Sequence, residues 1–414
     1  MVHGVGGQPW VYPPGEPKDL ETILSDIALR FSSPREVSVV EIKSFYASIF
    51  LGPRQVEARS FLSNKNHLFS IIYALHEVVL HLETSPDAAK IGTSSKDCKG
   101  VNGSYFLYER PTSALPKALF VFKPTAEEAL TTSPGIPRYG TTKREHLASV
   151  VNDDKIFPIP FTARVNLFGE SGSVQQVVEG KSAMMLLQEL PATSVKTMLQ
   201  EDSLRRKLVF DIIFGNLDGH EGNLLCSPTS LHSIDHGCIC GTIIETPLYI
   251  PYIRFLSSTS PLDHELAKFC SALPIDKYKS QMMAFEFEES AITLMEKRAT
   301  LLMGALSMGL TLQETALPFI LIPREICSMP AEGCIAVFEK ILTFRNNLET
   351  YCREERVEDL KKCLVDLRGG ISIEELVRGE DKFKQFWSLY LKPLLTQYHS
   401  DRIRELVQII GGSI

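Results

Sequence analysis

The sequence predicts an α+β chain: a strand-rich unit carrying one helix, then a helical unit, with additional helical regions at both ends. Three observations carry this prediction. Apolar residues recur at helical spacing over residues 17–90, as in Leu20, Ile23, Leu24, Ile27 and Phe31. From residue 91 the texture changes to short runs rich in β-branched and aromatic residues, interrupted by one helix-like segment. After residue 180 helical patterning returns and persists, broken by one turn-rich stretch, "FGNLDGHEGNLLCSPTSLHSIDHG", Phe214 to Gly237.

Taken in order, residues 1–16 lie in "MVHGVGGQPWVYPPGEP", whose Gly and Pro content reads as a flexible tail. This start has no basic residue leading into an apolar run, so no signal peptide is expected. Residues 17–95 read as a helical N-terminal region. Its second helix carries Leu68, Ile71, Ile72, Leu75, Val79 and Leu82. That helix contains "HEVVLH", but His76 and His81 stand at i and i+5 and point to different faces, whereas a zinc-protease pair needs i and i+4. They read as surface histidines. Strands are expected at "SYFLYE", "KALFVFKP", "IPFTARVNLF" and "SVQQVVE", with a helix at "TTKREHLASVVND" between the second and third. "SAMMLLQEL" and "DSLRRKLVFDIIFGN" read as helices, and residues 96–318 as one domain. Residues 319–414 form a charged, helical C-terminal region. There Val357, Leu360, Leu364 and Leu367 make an apolar stripe, Gly369-Gly370 ends the helix, and Ser372 with Glu375 makes a capping box for the next. The two terminal regions offer surface for a protein partner.

Length and composition narrow the functional classes. A chain of 414 residues suits two or three domains. Charged residues at 22% and hydrophobic ones at 44% describe a soluble globular protein, and no run approaches the roughly 18 apolar residues of a membrane span. A net charge of -7 argues against nucleic acid or an anionic membrane as the main partner. Nine scattered cysteines, an odd number in a long chain, fit reduced thiols in a cytoplasmic setting better than a disulfide framework. Delivery into a host cell and peripheral attachment to a membrane are both compatible with this composition.

The chemistry concentrates in Phe214–Gly237. "LLC" and "LHSI" flank the turn-prone "SPTS". Paired as a hairpin, with strands about 4.8 Å apart, they bring Asn223 and Asp235 out at the same end. An amide oxygen and a carboxylate are hard ligands of the kind Mg²⁺ takes along with phosphate oxygens. Asp218 falls in the loop leading into the hairpin, where its repulsion with Asp235 is relieved by a divalent cation. Phosphoryl transfer needs such a set, together with a strand lysine for the nucleotide phosphates and a helix glutamate to fix that lysine. Lys123 ends "ALFVFK", Glu145 lies on the next helix, and Gly103-Ser104 forms a turn suited to closing over phosphates. Glu127 and Glu128 read as solvated. "EGKS" is no phosphate loop, because Gln175 stands where the first glycine is required.

"DGHEGN", Asp218 to Asn223, resembles the D-x-H-x-x-N catalytic loop of the phosphatidylinositol 3-/4-kinase superfamily, and "SIDHG" its metal-binding I-D-x-G. "GSYF", "VFKPTAEEA" and "GSVQQVVEG" are similar to type II phosphatidylinositol 4-kinases in particular, as are, more loosely, "PLDHELAKFCSALP" and "EKRATLLMGALSMGLTLQETALP". The likeness spans roughly residues 100 to 318. It implies a bilobal protein-kinase-like fold, with a β-rich N-lobe and a helical C-lobe, that binds ATP and Mg²⁺. Carried over residue by residue, it implies that Lys123 binds phosphates and Glu145 pairs with it. Val178 and Glu179 present hinge backbone to adenine. Asp218 is the acidic residue of the catalytic loop, His220 stabilises the transferred phosphoryl group, and Asn223 and Asp235 hold metal. The sequence departs from the family at Gly219, where arginine is common, and at His236, where Phe or Asn is usual. The cysteine-rich palmitoylation segment is replaced by "TTSPGIPRYGTT".

The expected function is transfer of the ATP γ-phosphate to a hydroxyl of phosphatidylinositol or of a protein. Alternatives are a protein Ser/Thr kinase of the actin-fragmin-kinase-like or HipA-like kind, and a pseudokinase or nucleotidyl transferase, for which Gly219 leaves room. The segment from residue 236 to 262 is apolar with only Arg254 basic, which suits a phosphorylated inositol headgroup poorly.

Overall fold

In the computed structural model of the chain, the residues described are 20–51, 67–92, 103–110, 117–128, 135–137, 140–152, 155–244, 246–256, 262–354, 356, 358–360, 362–363, 380–395, 403 and 408. They form a mixed α+β structure that includes a six-stranded and a three-stranded sheet. Contacts divide the chain into two compact units. The first comprises residues 1–132, 137–153 and 159–178, and the second 133–136, 154–158 and 179–414.

The first unit runs α1 (Leu20–Phe31), β1 (Val37–Ser38), α2 (Val39–Tyr46, continued by a π turn Ala47–Leu51), α3 (His67–Thr84), α4 (Pro86–Ala89), β2 (Lys90–Gly92), β3 (Tyr105–Tyr108), β4 (Ala118–Pro124), a 3-10 turn Thr125–Glu127, α5 (Thr141–Val150), β5 (Thr162–Leu167) and β6 (Glu170–Gln176). The sheet order is β1-β5-β6-β4-β3-β2, antiparallel except for the β1–β5 pair. The four strands and the helix expected from sequence are here; β1 and β2 are too short to show alternation. All five spaced apolar residues of α1 are buried. So are Ile71, Ile72, Leu75, Val79 and Leu82 of α3, and Leu68 is half-buried. They share one core with Leu107, Phe120, Phe122, Val165 and Val174 of the sheet. A sheet must cover its apolar face, and these helices cover it. The sequence boundary at residue 95 therefore falls inside a compact unit.

His76 and His81 of α3 are not surface residues as expected. His81 is buried with Nδ1 3.1 Å from the Tyr108 carbonyl oxygen, and His76 stacks on Tyr46 at 3.6 Å with the rings 6° apart. The helix is wrapped on two sides, by the end of β3 and by α2, and a hydrophobicity pattern reports only one side of a helix.

The second unit holds β7 (Lys181–Ser182), α6 (Ala183–Glu189), α7 (Ala192–Met198), α8 (Glu201–Phe214), β8 (Leu224–Cys226), β9 (Leu231–Ser233), α9 (His264–Ser271), α10 (Ile275–Ala284), α11 (Glu289–Ser307), α12 (Leu312–Leu321), α13 (Pro323–Ser328), α14 (Ala331–Arg353), α15 (Glu380–Phe386, continued by a π turn Trp387–Leu391) and α16 (Lys392–Leu395). β8 is the centre of an antiparallel β7-β8-β9 sheet. The C-terminal region is part of this unit. The buried Glu314 carboxylate accepts from the Thr311 N–H at 2.7 Å, Arg345 Nη1 at 3.0 Å and the Tyr390 hydroxyl at 2.6 Å, joining α12, α14 and the π turn. Leu360 is buried; Val357, Leu364, Leu367, Gly369, Gly370, Ser372 and Glu375 lie outside the described residues. The described cysteines are free thiols. No helix among the described residues is long and apolar enough to cross a membrane.

Candidate functional site

In the first unit, Lys123 sits near the end of β4, directly across from Ser173 of β6. Its Nζ is 2.5 Å from Glu145 Oε1, and the Ser173 hydroxyl donates to Glu145 Oε2 at 2.8 Å. The glutamate is 2% exposed and the lysine 14%, so the ammonium reaches solvent while its partner does not. A buried carboxylate with both oxygens engaged is a rigid holder for the ammonium. Ser173 escaped the sequence reading because its role arises from strand pairing.

The helix bearing Glu145 is fixed at two points. Its first turn, α5 from Thr141, has Gly140 at the N-cap and no side-chain cap from that residue. Glu128 supplies the cap from outside: its carboxylate accepts from the N–H groups of Thr142 at 2.9 Å and Thr141 at 3.1 Å. An anion at a helix N-terminus satisfies orphan donors and meets the dipole favourably. Glu128 is therefore buried rather than solvated as expected, whereas Glu127 is exposed and accepts from the Tyr105 hydroxyl at 2.8 Å. The second anchor is His146, wholly buried, with Nε2 2.7 Å from the Phe31 carbonyl oxygen at the end of α1. Gly103 and Ser104 precede β3, and the Gly103 N–H points at the Glu127 carbonyl oxygen at 3.5 Å. Val177 continues the β-pairing through its N–H to the Leu119 oxygen, and the chain passes from the first unit to the second at Val178–Glu179.

In the second unit, α8 ends at Gly215 in the left-handed region (φ 62, ψ 60), and its N–H closes on the Asp211 carbonyl. A Cβ there would meet Arg298 Nη1 at 2.1 Å, so glycine is required on two counts. The Asp218 N–H then donates to Asn216 Oδ1 at 3.0 Å. "SPTS" is the turn expected: the Ser227 N–H donates to the Ser230 carbonyl at 2.8 Å, and the two hydroxyls lie 2.8 Å apart. The register pairs Leu224 with Ser233, and the Ile234 N–H donates to the Asn223 carbonyl at 2.9 Å, which sets Asp235 at the same end as Asn223.

The polar groups of this loop orient one another. Asn223 Nδ2 donates to the Asp218 carbonyl oxygen at 2.8 Å, which leaves Oδ1 as the amide's outward acceptor. The Gly222 N–H donates to His220 Nδ1 at 2.9 Å, so that nitrogen is an acceptor and the proton resides on Nε2, which lies 3.6 Å from Asp218 Oδ1. Burial raises the Asp218 carboxyl above the ordinary aspartate value; His220 opposes this, Asp235 adds to it, and Asn223 and Lys207 pull it back. Asp235 takes φ 59, a conformation that β-branched residues avoid and Asp and Asn tolerate. A non-glycine residue held there is a pointer to function.

Beneath the loop lies a set of residues whose roles the sequence reading did not find. Asp211 is fully buried and pairs with the fully buried Lys207. It also accepts from Tyr252 Oη at 2.5 Å and from Asn216 Nδ2 at 2.9 Å. Burial draws the Lys207 ammonium below the ordinary lysine value, and Asp211 and Asp218 oppose it. The signal available in sequence was Lys207 and Asp211 at i and i+4, bracketing the apolar run Leu208, Val209 and Phe210 in the second half of the helix.

The structure thus joins Lys123 with Glu145 in the first unit, and Asp218, His220, Asn223 and Asp235 in the second. Among the described residues no group of three or more His, Cys, Asp and Glu side chains gathers as a metal set. The candidate cation ligands are the mixed pair Asn223 and Asp235. Compared with known proteins, the chain matches no family model, and no curated protein matches it.

Proposed function

We propose that the chain is an ATP- and Mg²⁺-dependent phosphotransferase of the phosphatidylinositol 3-/4-kinase-like kind. On this reading the first unit is the β-rich lobe and the second the helical lobe of a bilobal kinase-like fold. The observation that carries it is the Lys123–Glu145 ion pair at 2.5 Å, because two residues singled out by motif order alone meet as the reaction requires. Further support comes from the hairpin, which sets an amide oxygen and a carboxylate beside the Asp218 loop.

The donor set of Asn223 and Asp235 suits a hard cation, and bound Mg²⁺ supplies neutralisation of phosphate charge. Lys123 binds phosphate oxygens, and Glu145 prevents its ammonium from wandering. Asp218 accepts the proton of the attacking hydroxyl at a carboxylate oxygen, a task for which a raised pKa suits it. The hydroxyl oxygen bonds to the γ-phosphorus, and the bond to the bridging oxygen of ADP breaks. His220 offers its Nε2–H to the transferred group.

A hydroxyl on a protein is favoured over phosphatidylinositol as acceptor by one observation. The apolar stretch that follows the metal motif spends its side chains inward: Leu248, Ile250, Tyr252, Ile253, Phe255 and Leu256 are all buried. Its one basic residue, Arg254, is bound to Glu221 at 2.7 Å. Among the described residues of this stretch, the large apolar side chains left exposed are Ile243 and Tyr249, two separate contacts rather than a continuous lipid-facing surface. The test is purified chain with Mg²⁺ and γ-labelled ATP, offered a cell extract and phosphatidylinositol vesicles in parallel. Label in a protein band is the expected result, absent with Asp235→Asn and down by orders of magnitude with Lys123→Ala, at about 1.4 kcal/mol per tenfold. Label in lipid overturns the acceptor. Undiminished label in the Asp235 variant overturns the metal assignment, and label only from the α-phosphate overturns the kinase reading.

A further inference from the structure

Gly219, the residue after the candidate catalytic aspartate, has no room for a side chain. A Cβ there would meet the Tyr249 carbonyl oxygen at 2.9 Å, Asp211 Oδ2 at 3.0 Å and Ile250 Cγ2 at 3.1 Å. The loop backbone is therefore laid directly against the Asp211 carboxylate, and the carboxylate is crowded with donors. Lys207 Nζ is on Oδ1, shared with Asn216 Nδ2 at 2.9 Å, and the Tyr252 hydroxyl is on Oδ2 at 2.5 Å. Asn216 passes the constraint on, because its own Oδ1 accepts the Asp218 N–H at 3.0 Å. Lys207 and Asp211 are both inaccessible to solvent, so neither is a surface ion pair of little consequence.

We propose that Lys207 is a positioning residue for the Asp218 loop. Its buried ammonium fixes the Asp211 carboxylate, and Asp211 with Asn216 holds the turn from which Asp218 emerges, in place of any side chain at position 219. The chain of contacts runs Lys207, Asp211, Asn216, Asp218, from the second turn of α8 to the reactive loop. Tyr252 joins the following segment to the same carboxylate, so the loops on either side of the hairpin share one anchor. The catalytic meaning rests on the kinase reading; the mechanical claim about the loop does not.

The test is amide hydrogen exchange on the full chain, which reads the loop whether or not phosphate is transferred. The principal variant is Lys207→Met with Asp211→Leu, since a buried ion pair replaced by apolar groups of similar volume commonly leaves the fold stable. Lys207→Arg keeps the charge and serves as the conservative rescue. In the double variant the Asp218 and Leu217 amides should exchange about ten- to a hundredfold faster, the scale of one lost hydrogen bond to a charged group. The amides of α11 should exchange as before, and Lys207→Arg should stay within about threefold of wild type, well under that scale. Phosphate transfer in the double variant should lose kcat at least about tenfold with KM for ATP little changed, which marks an interaction acting on the reacting group. Unchanged loop exchange in a variant with native α11 protection overturns the proposal. If the double variant does not fold, Tyr252→Phe is read instead: it removes one donor from Asp211 without stranding a charge, and unchanged loop exchange there overturns the proposal equally. A wild-type chain that transfers no phosphate, yet whose loop responds to these variants, overturns only the kinase reading.

Discussion

Acidification from pH 7 to pH 5 should weaken the first unit by about 2 kcal/mol through a single imidazole. His146 is fully buried, and its pKa is pushed down from 6.5 to about 4, chiefly by burial and further by the charges of Arg164 and Arg30, against the pull of the Phe31 carbonyl. The unfolded chain takes up this proton near 6.5, the folded one only near 4. Between those values the unfolded state binds more protons, so stability is full above about pH 6.5, falls as pH drops, and levels off below about 4. At about 1.4 kcal/mol per unit, the roughly 1.5 units down to pH 5 amount to about 2 kcal/mol, and the whole gap to about 3.5 kcal/mol. His146→Gln provides the control, since glutamine offers an N–H to Phe31 and does not titrate. The assay is the opening free energy of the β5–β6 amides by hydrogen exchange, for both proteins at both pH values. The wild type should lose about 2 kcal/mol relative to the variant on acidification. An equal loss in both proteins would refute the argument, because the imidazole would then be accessible or already charged in the folded state.

Other outcomes follow from single contacts. Glu128→Ala strips two N–H groups at the start of α5 of their acceptor and should cost about 1–2 kcal/mol by chemical denaturation; it should also lower phosphate transfer by loosening Glu145. Gly219→Ala presses a methyl group on the Tyr249 carbonyl and Asp211, and should cost about 1–3 kcal/mol in thermal unfolding. Asp235→Asn keeps a residue type that accepts φ 59 and should leave the melting temperature within a few degrees while abolishing transfer, whereas Asp235→Val should lose both.

The sequence was most legible where one residue's pattern is its neighbours' pattern. The α1 stripe, the four expected strands and the "SPTS" hairpin are local periodicities or turn chemistry, and each corresponds to an element of the structure. The pairing of Lys123 with Glu145 followed from the order of motifs. What was not legible depends on residues distant in the chain. Glu128 looked like a solvated acid because its partners lie beyond a segment that no periodicity spans. His81 looked exposed because the strand end that covers it comes later. Nothing local singled out Asp211, because its three donors come from two separate segments. That the first helices share a compact unit with the large sheet was not legible for the same reason. Helical periodicity marks residues 20–84 as helices but says nothing of what they lie against.

That shared core has a practical outcome for anyone expressing pieces of this protein. A fragment beginning near residue 96 would keep β4 and the β8–β9 hairpin yet shed α1, α2, α3, α4 and the short strands β1 and β2. Phe120, Phe122 and Val174 would then face water, and the edge of β5, now paired through Val37–Val165, would be bare. An uncovered greasy sheet with a raw margin recruits its own kind, so such a truncation should collect in inclusion bodies, however complete its sequence motifs look on paper.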